Sequence, residues 1–202
     1  TAEGTPTGTF SELLFQNGFP PLTMEQQLEK LEEFGGLDAW GGPHMANHYS
    51  VAWAYASSTP FQWTKQMASH FGGTRNAMAV SWPDGIKEAG GLRTQFHHVI
   101  DILPTILDAA NIPAPERVDG VVQEPIEGVS MLYSFDDAEK PSNHRTQYFE
   151  ILANRGIYHE GWTAVTHHST PWISRQWPSF DQDEWELYDR LRDPLELKNE
   201  YD

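Results

Sequence analysis

The sequence predicts an α/β protein that ends in a small antiparallel sheet. Residues 77–82, AMAVSW, form a continuous apolar run of strand length, and a Pro-Asp-Gly turn signal closes it. A helical pattern follows at 101–110, and a buried strand followed by a helix is typical of an α/β layer. From about residue 116, short segments alternate apolar and polar residues, as antiparallel strands do. These observations divide the chain into a partial α/β domain at 1–115 and a second subdomain at 116–202.

The composition limits the classes of function. The chain has 202 residues, 39% of them hydrophobic, which is enough to bury a core of domain size. Its net charge of -16 argues against nucleic acid as a partner, because phosphate binding needs clustered Lys and Arg. The apolar residues are spread too evenly for a membrane span, so a soluble protein of the cytoplasm or periplasm is expected. Cysteine is absent, which excludes disulfides and thiolate metal sites.

Local signals predict the first elements. Residues 1–22 are rich in Gly, Pro and Thr and start without Met, so we interpret them as a loop within a piece of a longer protein. Thr23 and Gln26 form a capping box that begins a helix, and a Gly-Gly pair ends it near residue 35. Residues 41–61 carry Gly, Pro, His and aromatic side chains without a sustained period, which predicts an ordered loop.

The helix at 101–110 has a wide apolar stripe in its sequence, DILPTILDAA. Asp101 is its predicted N-cap. Pro104 falls in the first turn, where the missing N–H costs nothing. We expect the apolar surface of the first domain to exceed what this chain can cover, because few other segments could flank a strand at 77–82.

The second subdomain is predicted to contain a β-hairpin. RTQYFEIL at 145–152 and GIYHEGWTAV at 156–165 both alternate with period two. Between them, the Asn154-Arg155-Gly156 segment supplies turn chemistry. The two segments should therefore pair as antiparallel strands.

The most informative stretch for function is TPFQWTKQMASHFGG at residues 59–73. Its one lysine, Lys65, lies between two aromatic residues and a His-Phe-Gly-Gly turn, and it fits either an anion contact or an ordinary surface lysine. His70 could donate a proton to a leaving oxygen, since its ordinary pKa lies near working pH, or it could pack the turn. Lys65 and His70 are the candidate catalytic residues.

Neighbouring side chains are candidates for substrate binding. Trp53 and Trp63 could stack on an aryl or sugar group, with core packing as the alternative. Arg75 could reach an anion with two hydrogen bonds or brace the loop.

Histidine spacing does not predict a metal site. His44 and His48 have the i, i+4 spacing of two ligands on one helix face, but the Gly-Gly-Pro before them argues against a helix. The adjacent pairs at 97–98 and 167–168 should point to opposite sides of an extended backbone, so we interpret them as packing or surface residues.

Four blocks follow one another in an order that closely resembles the C-terminal part of arylsulfatases of the alkaline phosphatase superfamily. The blocks are VAWAYASSTPFQWTKQMASHFGGTRNAMAVSWPDGI at 51–86, LRTQFHHVIDILPTILDAANI at 92–112, EGVSML at 127–132 and WELYDRLRDPLELKNE at 185–200. The resemblance implies the C-terminal part of an alkaline-phosphatase-like sulfatase fold. It also implies sulfuric ester hydrolysis by the full-length protein, with a small-molecule or carbohydrate sulfate ester as substrate.

The resemblance implies specific site chemistry as well. Anchored on Thr59-Pro60, it assigns the sulfate-contacting lysine to Lys65, although one more residue than is common separates Lys65 from Gly72. Such enzymes use Ca2+ and a formylglycine made from Cys or Ser in a Cys/Ser-x-Pro/Ala-x-Arg signature, and this chain lacks the signature. We therefore expect the chain alone to be inactive and to bind neither cofactor.

Two other functions remain open at this point. A phosphonate or phosphate ester hydrolase of the same superfamily would transfer a similar tetrahedral oxyanion. A non-catalytic module could bind a partner or carbohydrate through its aromatic loop. For the isolated chain we also expect self-association through exposed strand edges.

Overall fold

The computed structural model of the protein describes residues 22–39, 42–43, 51–170 and 177–201. The helices are α1 (Met24–Glu33), α2 (Val51–Ser58), α3 (Phe71–Thr74), α4 (Ile102–Ala109) and α5 (Leu132–Phe135). The strands are β1 (Arg117–Val118), β2 (Val121–Val122), β3 (Thr146–Ile151), β4 (Asn154–His159), β5 (Trp162–Thr166) and β6 (Trp185–Asp189). Short 3-10 turns lie at Gly36–Ala39, Val99–Asp101 and Phe180–Gln182.

The strands form two antiparallel arrangements. β1 and β2 make a two-stranded ribbon, and the four-stranded sheet has the order β3-β4-β5-β6. β5 pairs with β6 from Trp162 opposite Asp189 to Thr166 opposite Trp185. The mixed helix and sheet class is confirmed, and so is the pairing of the first alternating segment, β3, with the start of the second. The second segment, predicted as one strand at 156–165, is divided between β4 and β5 by a turn at Glu160 and Gly161.

Contacts divide the described residues into two compact units. Unit 1 contains the described residues up to Arg75, together with Tyr148–Ile157 and the residues from Trp162 onward. Unit 2 contains Asn76–Gln147 and Tyr158–Gly161. The domain boundary near residue 116 stays a prediction. No helix in the described ranges has both the length and the apolar character needed to cross a membrane.

Helix α1 begins and ends as predicted. The Thr23 hydroxyl accepts a hydrogen bond from the Gln26 backbone N–H at 3.2 Å, and the Gln26 side chain accepts one from the Thr23 N–H at 2.9 Å. Gly35 and Gly36 then adopt φ of 111° and 70°, values in the left-handed region that ends helices. The local capping signals therefore determine both ends of α1.

Part of the predicted loop at 41–61 is helical, so the loop prediction is wrong for α2. The sequence of α2, VAWAYASS, contains three alanines, and alanine has the highest helix propensity. An apolar residue every three to four positions appears only in helices that bury one face. Most of α2 is exposed, so its sequence lacks this pattern and the prediction missed the helix.

The predicted buried strand at 77–82 is also absent. These residues have no regular secondary structure and are exposed, with Met78 at 52% and Val80 at 46% of full exposure. An apolar run favours burial, but a buried strand also needs neighbouring strands on both sides. The described part of unit 2 places none beside this run.

Asp101 occupies the N-cap position of α4, as predicted, but the side-chain cap expected of it is absent. It is the last residue of the Val99–Asp101 turn, and its side chain makes no capping hydrogen bond to α4. Its buried carboxylate instead accepts hydrogen bonds from the backbone N–H groups of His98 at 2.8 Å and Val129 at 2.9 Å. The acid thus connects the turn that precedes α4 with the segment at Val129 through their backbones.

The β3–β4 turn lies two residues before its predicted place. Leu152 and Ala153 form it with φ of 52° and 65°, and Asn154 is the first residue of β4. Asn154 has no exposed surface, and its side-chain amide accepts from the His168 N–H at 3.0 Å and donates to Ser169 O at 3.1 Å. The Asn-Arg-Gly signal was wrong because tertiary hydrogen bonds, not turn geometry, require this asparagine.

Candidate functional site

Lys65 lies at the tip of a tight turn in unit 1. The Met67 N–H donates to Thr64 O at 3.2 Å, and Gln66 has φ of 76°, the value of the third residue of a type II turn. Thr64 and Met67 are buried, whereas Lys65 is exposed. The turn therefore anchors both sides of Lys65 and presents its side chain at the surface. We call residues 62–72 the lysine loop.

The Gly-Gly pair of the motif is required because backbone packs directly against it. A Cβ on Gly72 would overlap the carbonyl oxygens of Gln62 and Trp63, and one on Gly73 would overlap that of Met67. The Gly72 N–H donates to Gln62 O at 2.8 Å and closes the base of the lysine loop. Any larger residue at these two positions would displace the turn that carries Lys65.

The C-terminal segment of the chain holds the base of the lysine loop. The Gln62 side chain donates to the backbone oxygen of Glu196 at 2.5 Å. The Phe71 N–H donates to Oε2 of the same glutamate at 3.1 Å. Glu196 has no exposed surface and also accepts from the Thr163 hydroxyl at 3.2 Å. One buried acid therefore contacts both ends of the lysine loop and strand β5.

His70 points into the interior of unit 1. Its side chain has 1% of its surface exposed, Nδ1 lies 2.9 Å from the Ser69 hydroxyl and Nε2 lies 3.5 Å from Oε2 of Glu186. Glu186 also accepts a hydrogen bond from the Tyr188 hydroxyl. Neither ring nitrogen faces solvent, so a direct proton donation by His70 to a substrate stays a prediction. The geometry suits a residue that supports the lysine loop from inside.

Burial determines the protonation of a cluster formed by His70, Glu186, Tyr188 and Glu196. It lowers the pKa of His70, an effect that the nearby Glu186 carboxylate opposes. It raises the pKa of the Tyr188 hydroxyl, and Glu186 raises it further. The pKa of Glu196 rises to about 7, again chiefly through burial, with the hydrogen bonds from Phe71 and Thr163 acting in the opposite direction. The cluster therefore favours uncharged forms of its histidine, tyrosine and Glu196.

Trp63 brings an aromatic surface next to Lys65. Its ring stacks on that of His167 with 4.4 Å between centroids and 9° between planes, and it lies 6.1 Å from the Tyr55 ring. The Trp63 and His70 rings are 6.4 Å apart, so the structure brings these two candidates together. Trp53 is on α2 and is 68% exposed.

Arg75 braces the segment that follows the lysine loop. Its guanidinium donates to Pro194 O at 3.2 Å and lies 4.9 Å from the centroid of the Phe61 ring and 5.4 Å from that of Phe71. Of the two roles considered for Arg75, these contacts agree with bracing of the loop. All of the contacted groups belong to unit 1. Binding of a substrate anion by Arg75 stays a prediction.

Sequence reasoning missed Glu186 and Glu196, and it gave His167 only as a packing or surface residue. His167 belongs to an adjacent pair that does point to opposite sides, since the ring of His168 lies 2.7 Å from Asp183 while His167 stacks on Trp63. Glu196 stands in a strongly charged tail, where an acid is normally solvated. Only its place in the Asp-Pro-x-Glu block could have indicated a special role.

The described residues do not fit a metal centre. In the ranges that the structure covers, no group of three or more His, Asp or Glu side chains is arranged to hold an ion. His44 and His48 lie outside the described residues. The resemblance to arylsulfatases implies a Ca2+ ion, and the described residues contain no group of side chains that could bind it.

The chemistry available at the lysine loop is electrostatic. An exposed ammonium on a rigid turn can neutralise charge on the oxygens of a tetrahedral anion, and it does so without reorganising at the moment of reaction. The buried groups behind the loop determine where the ammonium is placed. This part of the chain can therefore contribute charge and position.

Comparisons with known proteins identify a family for this chain. The family described as "N-sulphoglucosamine sulphohydrolase, C-terminal" matches residues 62–202. An uncharacterized sulfatase of Schizosaccharomyces pombe is 28% identical over 187 residues, which cover 89% of this chain and 29% of that protein. This chain thus spans less than a third of the length of that curated relative.

One similar solved structure is a complex with its substrate D-glucosamine-2-N,6-O-disulfate. It is 23% identical, the similarity covers 58% of this chain and 22% of that chain, and the TM-score is 0.40. The family match carries the assignment, because it covers more than half of the chain, from the lysine loop to the C-terminus. The chain belongs to the sulfatase family described as N-sulphoglucosamine sulphohydrolase, C-terminal.

Proposed function

We propose that the full-length protein is a sulfuric ester hydrolase of the alkaline phosphatase superfamily and that this chain supplies the lysine side of its active site. The observation that carries the proposal is the family match over residues 62–202, which includes the whole lysine loop. Within that loop, Lys65 is exposed on a turn whose two end residues, Thr64 and Met67, are buried. An anion-binding lysine needs this combination of access and rigidity.

Lys65 is the proposed contact to the sulfate group. Sulfate transfer changes the charge on the non-bridging oxygens, and a fixed ammonium stabilises the state in which that charge is greatest. A compact ammonium suits such a point contact better than a planar guanidinium. His70 supports this role from the interior through the buried contacts at its two nitrogens.

The proposed substrate is a small-molecule or carbohydrate sulfate ester. The name of the family refers to N-sulphoglucosamine, whose sulfo group is joined through an S–N bond, so it supports a sulfated sugar as the substrate class and leaves the ester linkage to the proposal. Trp63 lies in the same loop as Lys65 with one ring face covered by His167, whereas Trp53 on α2 is largely exposed and offers the more accessible ring. Such aromatic rings bind the flat faces of sugar or aryl groups.

The cofactors of the proposed enzyme belong to the remainder of the full-length protein. Calcium would require acidic ligands that the described residues do not group together. A formylglycine would require a Cys or Ser signature that this sequence does not contain. We therefore propose that the 202-residue chain alone hydrolyses no sulfate ester.

Product analysis tests the proposal. The full-length protein should release sulfate from 4-nitrophenyl sulfate or an O-sulfated glucosamine, and the 202-residue chain should release none. Release from N-sulfated glucosamine alone would identify cleavage of a sulfamate S–N bond instead of an ester. Faster hydrolysis of 4-nitrophenyl phosphate or a phosphonate monoester would identify the sister activity instead. Binding of a sulfated sugar by the full-length protein without any turnover would identify a binding module.

A further inference from the structure

Glu196 is an unusual residue to find without solvent contact. It lies in a charged C-terminal segment, yet none of its surface is exposed. Burying a carboxylate is costly, and an apolar residue of similar size would pack at lower cost. A buried acid of this kind is explained best by the hydrogen-bond donors that its oxygens contact.

Those groups belong to the base of the lysine loop and to β5. Oε2 accepts from the Phe71 N–H at 3.1 Å, and Oε1 accepts from the Thr163 hydroxyl at 3.2 Å. The backbone oxygen accepts from the Gln62 side chain at 2.5 Å. Both oxygens of the carboxylate are therefore engaged, and the contacts at Gln62 and Phe71 fall at the two ends of the loop.

The segment around Glu196 is itself firmly built. Glu196 has φ of 57° in a turn in which its N–H donates to Asp193 O at 3.2 Å. The Asp193 side chain accepts from the N–H groups of Leu197 at 2.5 Å and Lys198 at 2.7 Å. The acid is therefore presented by a rigid support, as a group that positions another residue must be.

We propose that Glu196 is a positioning residue for the reaction at Lys65, acting by holding the two ends of the lysine loop in place. This inference rests on the proposed function of Lys65. Glu196 itself has no access to substrate, so its effect passes through the backbone from Gln62 and Phe71 to the turn at Lys65. Its removal should therefore misplace the ammonium without changing which groups bind the substrate.

Kinetics of the full-length enzyme on 4-nitrophenyl sulfate provide the first readout. Glu196→Ala should lower kcat about 10-fold or more with KM within about 3-fold, since small displacements of a catalytic charge are costly. Glu196→Gln keeps an oxygen for the Phe71 N–H and should recover most of the rate. Glu200→Gln, an exposed acid on the same segment, is the matched control and should leave the rate unchanged.

A double-mutant cycle separates positioning from general destabilisation. If Glu196 acts through Lys65, then Glu196→Ala should have little further effect on kcat once Lys65→Ala is present. The same fold-loss in both backgrounds would overturn the proposal. If Glu196→Ala fails to fold, Glu196→Asp provides the same comparison, because it withdraws the carboxylate by one methylene.

Hydrogen exchange on the 202-residue chain provides a readout that needs no catalysis. Peptides covering residues 62–75 should exchange faster in Glu196→Ala than in the wild type, and Glu200→Gln should match the wild type. Unchanged exchange in the lysine loop would overturn the proposal. A wild-type enzyme that hydrolyses no sulfate ester would refute the proposed function instead, and the exchange result would still decide whether Glu196 holds the loop.

Discussion

The Asp101 carboxylate accepts a hydrogen bond from Nδ1 of His144, with 2.8 and 2.9 Å between that nitrogen and the two carboxylate oxygens. A carboxylate without a proton can only accept, so Nδ1 is the donor. Nε2 of the same ring lies 3.0 Å from the side-chain oxygen of Gln147. With the backbone donors of His98 and Val129, this pair forms the polar centre of unit 2.

Asp101→Asn should destabilise the chain by about 3 kcal/mol, because the new amide cannot accept from all the buried donors that now face the carboxylate. Asp108→Asn, on the adjoining helix α4, is the matched control. Its side chain is exposed and bonds only to the Ser130 hydroxyl in the described contacts, so it should cost below about 1 kcal/mol. Urea unfolding of both variants measures the difference, and equal costs would refute the central role of Asp101.

Asn154→Ala should destabilise the chain by about 2 kcal/mol or more, because it leaves the His168 N–H and Ser169 O without their buried partner. Asn143→Ala, at an exposed position, should be nearly neutral. Thermal unfolding of the two variants checks the prediction. A neutral Asn154→Ala would show that the amide bonds are dispensable.

Glu196 makes stability depend on pH. Its pKa is raised from 4.5 to about 7 in the fold, so between these values the folded chain holds a proton that the unfolded chain has released. This contribution is complete below pH 4.5, falls as the pH rises and is lost above about pH 7. Relative to the wild type, Glu196→Gln should be equally stable near pH 5 and about 3 kcal/mol more stable at pH 8.

Urea unfolding of both proteins at several pH values measures that difference, and effects of the histidines cancel because both proteins contain them. A stability difference that does not change between pH 5 and pH 8 would mean that Glu196 titrates normally in the fold.

The isolated chain should self-associate through its exposed apolar surface. On α4, Leu103 is 53% and Ile106 is 59% exposed, and the two side chains are neighbours on one face of the helix. Sedimentation should show a mass that rises with concentration, and Ile106→Glu should shift the chain toward monomer. A monomer at all concentrations would contradict the prediction.

Local chemistry explains which parts of the fold could be predicted. The capping box at Thr23 and the alternation of β3 and β4 act over a few residues, so the sequence contains the whole signal. Helix α2 was missed because its residues favour a helix by propensity alone, without a buried face. The strand expected at 77–82 failed because a buried strand depends on neighbours that a single segment cannot reveal.

The candidate site shows the same division. The Gly-Gly pair and Lys65 can be recognised in the sequence, because the absence of a side chain and the positive charge are properties of the residues themselves. The roles of Glu196 and Asn154 depend on partners that lie far away along the chain, such as Phe71 for the glutamate and Ser169 for the asparagine. Hydropathy and turn preferences assign both residues to the surface, and only the folded contacts show that they are buried.

The most direct test of the account is the activity of Lys65→Ala in the full-length protein, measured on an aryl sulfate with folding checked in parallel. Loss of a preorganised charge contact should lower the rate about 100-fold, or ~3 kcal/mol, while stability changes little because Lys65 is exposed. Lys65→Arg should recover part of the rate, and Gln66→Ala, the next residue of the turn, should be nearly silent. Turnover of Lys65→Ala close to that of the wild type would contradict the assignment, and a large loss in Gln66→Ala would place the sulfate contact one residue further along.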